Sequence, residues 1–166
     1  YPPILPVLLT PLVRWRGLDF VAFKLTMVFV FSLCLALLPS VFRGRLSFWE
    51  IAVLITVIGA NPEMFTLVQH INSDGLFLFF LFLFLITMAA GMDSAGGMRR
   101  FALLALATVL FALCMMTRSS AVAIVPGLVI YLLVKKDRKL SAWLVVGGMI
   151  LCAVASSLLW DTRYSE

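Results

Sequence analysis

Apolar residues in this chain do not alternate with polar ones. They come in long runs, and the few charges fall between the runs. Such runs predict helices that are apolar on all sides and surrounded by lipid or by other helices. The first covers residues 18–42, with Lys24 near one end, where a long side chain can snorkel to the interface. A second begins at Ser47, whose Ser-Phe-Trp-Glu has the spacing of a capping box. Its uninterrupted part, residues 51–60, would make about 15 Å of helix, half a bilayer core. Further runs cover residues 75–92, 101–117, 119–134 (with Pro126 and Gly127) and 140–160, the last with Trp143 and Trp160 near its ends.

Residues 1–17 are apolar too, but prolines stand at positions 2, 3, 6 and 11. They predict an interfacial lead-in and not a continuous span, with a helix starting at Thr10–Pro11 as cap and first residue. Trp15 between Arg14 and Arg16 suits an anchor at headgroup level. The expected fold is all-α: a polytopic helical membrane protein of about six transmembrane helices, the second one broken, in a single transmembrane domain, 1–166.

Composition agrees. The chain is 63% hydrophobic and 13% charged, where soluble domains are about half apolar and a quarter charged. A membrane β-barrel would need alternation that is absent here. The net charge of +5 therefore bears on topology and lipid headgroups, and no basic, aromatic-interleaved surface calls for nucleic acid. Cys34, Cys114 and Cys152 each stand alone in an apolar run, without metal-ligand spacing. The glycines of GMDSAGGMRR precede no Lys-Ser/Thr and read as a turn.

The interruption at residues 61–75, NPEMFTLVQHINSDG, holds Glu63, His70 and Asp74. Asn61 suits a helix cap, Pro62 the first helical position and Glu63 the first turn. Ser73-Asp74-Gly75 marks a second start. Broken polar segments between spans are where membrane proteins place sites, although capping alone accounts for Asn61, Pro62 and Asp74. His70 and Asp74 share a face only if a helix continues through both. Arg118 divides seventeen uncharged residues from sixteen, each run barely long enough to cross, so its turn is expected at or slightly within the interface. Its planar fork of donors matches a phosphate.

Six spans put both termini on one side. Eight cations (Arg43, Arg45, Arg99, Arg100, Lys135, Lys136, Arg138 and Lys139) then share one face, against Arg14, Arg16, Arg118 and Arg163 on the other. The positive-inside rule makes the first face cytoplasmic and both termini extracytoplasmic. Glu63, His70, Asp74 and Arg118 fall on the outer side.

These stretches resemble a family. YPPILPVLLTPLVRWRGLD is similar to the lead into the second helix of GT-C-type integral membrane glycosyltransferases of the protein O-mannosyltransferase and aminoarabinose transferase branch. NPEMFTLVQHINSDGLFLFF resembles their broken outer segment leading to an Asp, and MTRSSAVAIVPGLVIYLLVKK their hairpin with a basic residue at the outer turn. The resemblance implies an enzyme of the bacterial inner (plasma) membrane. It would transfer a sugar from a polyprenyl-phosphate donor to an acceptor on the extracytoplasmic face. Asp74 would be the catalytic-site residue, holding an acceptor, a basic partner or a divalent metal, and no other cofactor is implied. Arg118, with His70, would bind the donor phosphate. The family's acidic catalytic residue lies in an earlier outer loop, so the chain is expected to be part of a longer protein. The competing expectation is a non-catalytic helical subunit of a larger membrane complex. A transporter is a third, lacking a matching break in a second repeat.

Overall fold

The computed structural model describes residues 4–69, 73–95, 97–134, 146–150 and 154. These are helical apart from short turns, with no strand among them. Two compact units meet between residues 83 and 84, inside one helix.

In the first unit, α1 spans Ile4–Arg16. The expected start at Thr10–Pro11 is corrected: the helix runs straight through both residues. Pro6 lies in its first turn, where a missing N–H leaves no bond unmade. The Thr10 hydroxyl does not cap but donates back to the Pro6 carbonyl at 2.8 Å. At 13 residues, about 20 Å, α1 remains too short to cross. It ends at Gly17, whose φ of 72° suits a left-handed cap. Asp19 then starts α2, Phe20–Val41, by accepting from the N–H groups of Val21 at 2.9 Å and Ala22 at 3.2 Å. Phe23, Met27, Val30, Cys34 and Leu38 are buried on one face of α2.

The capping box expected at Ser47 is present. Ser47 Oγ accepts from Glu50 N at 3.4 Å, and Glu50 Oε2 accepts from Ser47 N at 2.6 Å. It opens α3, Phe48–Gly59. After the Asn61 turn comes α4, Pro62–Gln69, and then α5, Asp74–Asp93. Both α3 and α4 pack on α2.

In the second unit, the end of α5 pairs with α6, Gly97–Thr117. A methyl built on Gly91 would press on Leu104, and the rings of Phe84 and Phe111 lie 5.9 Å apart. Seven residues along α5 thus match seven back along α6, the register of an antiparallel pair. The buried positions of α6 include Arg100, Leu104, Ala107, Phe111 and Cys114, and their alternating spacing of four and three is a coiled-coil seam. Arg99 and Arg100, expected in a loop before residue 101, belong instead to the first turn of α6, and Arg100 is buried. A 3-10 turn, Ser119–Ala123, leads into α7, Ile124–Val134. Of the expected sixth span, residues 146–150 and 154 are helical and the rest lies outside the described residues.

Among the described residues, three helices are long and apolar enough to cross a membrane: Phe20–Val41, Asp74–Asp93 and Gly97–Thr117.

Candidate functional site

The helix break falls where Asn61 and Pro62 predict it. The Ala60 N–H still reaches back to Thr56 O at 2.8 Å, and Asn61 N to Ile58 O at 3.3 Å, which tightens the end of α3. The Asn61 side chain then accepts from Glu63 N at 3.0 Å, and its carbonyl accepts from Met64 N at 3.0 Å. Asn61 is therefore the N-cap of α4, with proline at the first helical position, which needs no donor. Glu63 is exposed in the first turn.

Asp74 is the first residue of α5. The carbonyl of Ser73 accepts the first bond, from Phe77 N at 2.9 Å, so Ser73 is the cap. This puts Asp74, half-buried, where the positive end of the helix dipole favours a carboxylate. His70 lies outside the described residues. Ser73 is a turn residue, so Asp74 stands at a helix start and not inside a helix shared with His70. The next residue, Gly75, carries the carbonyl that accepts from Cys34 Sγ at 3.6 Å. The head of α5 is thereby seated on α2.

Arg118 bridges α6 and the 3-10 turn in an extended conformation, φ −158° and ψ 126°. Its N–H donates to Cys114 O at 2.9 Å, and its carbonyl accepts from Ala121 N at 3.1 Å. The backbone is thus held on both sides while the side chain is exposed. Thr117, which sequence patterning did not single out, supports this turn. Fully buried, it donates its hydroxyl to Cys114 O at 2.7 Å and to Leu113 O at 3.2 Å. Those carbonyls belong to the last turn of α6, and at Cys114 O the hydroxyl adds a second donor beside the Arg118 N–H. The signal was a threonine at the end of an apolar run, a pattern common to many helices.

Asp74 belongs to the first unit and Arg118 to the second. Among the described residues, no three His, Cys, Asp or Glu side chains group closely enough to hold a metal ion. At the opening of α3, the Ser47 backbone N–H, and secondarily its hydroxyl, hold the Glu50 carboxyl below its ordinary range.

The three long apolar helices mark an integral membrane protein of the all-helical class. Comparison with protein-family models, with curated proteins and with solved structures finds no match.

Proposed function

We propose that the chain is the membrane-embedded part of an enzyme resembling the GT-C-type glycosyltransferases, transferring a sugar from a polyprenyl-phosphate donor to an acceptor on the extracytoplasmic face. The observation that supports this reading most is the helix broken at Asn61–Pro62, which leads to Asp74 at the head of the next long apolar helix. In this reading the chain crosses the bacterial inner membrane six times. The crossings are α2, α3 together with α4, α5, α6, the 3-10 turn together with α7, and the stretch around residues 146–150. Arg43, Arg45, Arg99 and Lys135 lie on the cytoplasmic side, and both termini are extracytoplasmic.

Asp74 serves the acceptor side of the reaction. It orients an acceptor hydroxyl or a basic partner, and a divalent metal is the other group it would take. Arg118, with His70, neutralises the donor phosphate as charge builds on the leaving group. Only the arginine fork offers two parallel bonds to that phosphate.

The test uses the full-length protein in lipid nanodiscs with a polyprenyl-phosphate sugar. Arg118→Ala should weaken donor binding about tenfold or more, since even one charge-assisted bond is worth that much, and Arg118→Lys should restore part of it. Asp74→Asn should lower turnover while leaving donor affinity nearly unchanged. Both variants must insert at the level of the parent. Full transfer activity in both removes the proposal.

One observation favours a second reading, a non-catalytic helical subunit of a larger complex. Asn61, Ser73 and Asp74 all stand at helix starts, so capping alone accounts for them. Unchanged donor affinity in Arg118→Ala, with co-purification of a larger membrane partner, supports that reading.

A further inference from the structure

Three contacts inside the first unit bear on how deep the polar break goes. Helix α2 has 22 residues, about 33 Å, so it spans a hydrocarbon core of about 30 Å from end to end. Interface-type residues flank it. Before it stands exposed Trp15, with the Arg16 guanidinium 5.3 Å from its ring. After it come exposed Arg43 and Arg45, then Phe48 and Trp49, whose rings lie 5.7 Å apart edge to face. Positions along α2 therefore serve as a depth scale.

Val30 and Cys34 are buried on α2, about 15 and 21 Å of rise beyond Phe20. The Gly75 carbonyl accepts from Cys34 Sγ at 3.6 Å, and a methyl on Gly75 would lie 4.0 Å from Val30 Cγ1. At the other end of the break, a methyl on Gly59, the last residue of α3, would lie 3.7 Å from Leu35 Cδ1. Both ends of the break thus meet α2 between residues 30 and 35, in its central part. Asp74 immediately precedes Gly75.

We propose that α3, α4 and the head of α5 do not complete two crossings but form a re-entrant element that carries Asn61, Pro62 and Asp74 inside the bilayer, near its mid-depth, and not into an outer loop. The six crossings of the transferase reading then become four, with the same face cytoplasmic. Broken backbone at that depth persists only where protein or water covers it. Asn61 and Glu63 are not covered by the rest of the chain, and an amide and a carboxylate at that depth need polar company; in this proposal that company is water, in a cleft beside α2. The ligand class such a cleft admits is small and polar: a hydrated cation or a hydroxyl-bearing group. The inference rests on helix length and on contacts within one unit. It holds whether or not the protein transfers sugar, so its failure and that of the transferase reading are separately visible.

The experiment attaches a fluorophore to single cysteines of the full-length protein in nanodiscs, with the three native cysteines replaced by serine. The sites are Ser73 and Ala60 at the two ends of the break, with Arg16 and Arg43 as interface references. Nitroxide lipids substituted at carbon 5 or carbon 12 of the acyl chain quench shallow or deep labels. The order of quenching should reverse between the reference pair and the break pair, which favour the deep lipid. In parallel, Ser73→Cys should react with a small charged thiosulfonate but not with a polyethylene-glycol maleimide, whereas Arg16→Cys reacts with both. Ala60→Cys repeats both measurements, so misfolding of one variant does not decide the result. Labels at Ser73 and Ala60 that quench like the one at Arg16, or reaction of both with the bulky maleimide, overturn the proposal.

Discussion

Alanine at Gly91 should weaken the fold, while alanine at Gly127 should strengthen it, although both are helical glycines in apolar runs. Gly91 is buried against α6. A methyl there would stand 2.9 Å from Leu104 Cδ2, 3.1 Å from Leu104 Cγ and 3.4 Å from Leu103 Cβ. Carbons settle at about 3.5–4.0 Å, so Leu104 or a helix must retreat by roughly half an ångström. Leu104 is only 2% exposed and shares its seam with fully buried Ala107 and Phe111, which leaves it nowhere to go. Overpacking of this kind costs about 1–3 kcal/mol. Alanine's better helix propensity returns about 1 kcal/mol. The expected net loss is at most about 2 kcal/mol, a factor of up to roughly 30 in the folded ratio. At Gly127 nothing lies within 4 Å of the added methyl. Only the propensity term remains there, a gain of about 0.5–1 kcal/mol.

Equilibrium titration with dodecyl sulfate in mixed micelles, followed by far-ultraviolet circular dichroism, reads both effects. A double-mutant cycle with Leu104→Ala isolates the contact, because deleting the leucine removes what the methyl strikes. In that background Gly91→Ala should be neutral or stabilising. If Gly91→Ala instead tracks Gly127→Ala in direction and size, and the cycle shows no coupling to Leu104→Ala, α5 and α6 do not meet at this point and the antiparallel register is wrong.

Asp19→Ala removes both side-chain bonds to the first turn of α2 and should cost about 1 kcal/mol in the same titration, with Asp19→Asn keeping most of it. Ser47→Ala should cost a similar amount, about 1 kcal/mol, at the start of α3. The Glu50 carboxyl titrates below its ordinary value of 4.5 because the Ser47 N–H binds its ionised form. Its contribution is therefore complete above that value and lost as pH falls through the lower, folded-state one. Glu50→Gln should flatten stability against pH in that acid window, and an unchanged slope argues against the box. For topology, Ala95→Cys should be protected from impermeant thiol reagents in intact cells and Ser120→Cys labelled; the opposite pattern inverts the orientation.

Much of the helical layout was legible because runs of apolar residues and their punctuation are local. The Ser47 box, the Asn61–Pro62 break and the helix starting at Asp74 each follow from two or three neighbouring residues. Thr10–Pro11 has the pattern of a helix start, but Pro6 falls in the first turn and Thr10 bonds backward, so the helix continues through both. Arg99 and Arg100 read as loop residues because charge borders the apolar run, yet the helix begins before that run does. The α5–α6 seam was not legible. Both helices are apolar on every side, so burial leaves no trace in the hydrophobic pattern. In lipid the packed face is marked by small residues, here Gly91, Ala107 and Cys114, and small residues occur elsewhere in both helices.

Depth was the harder quantity. Run lengths say how far a segment reaches, but the turn of α2 that a break meets is decided by packing, through Cys34, Leu35 and Val30. That placement changes the meaning of Asp74. At a membrane surface, an aspartate at the first position of a helix is an ordinary stabilising choice. At the middle of a bilayer an ionised carboxylate is expensive, by a few kcal/mol. The start of α5 offsets part of that cost with the unsatisfied N–H groups and the positive dipole end of a 20-residue helix. Capping and chemistry are then not rival accounts of Asp74: a helix start is one of the few backbone arrangements that lets a membrane protein keep a carboxylate at that depth.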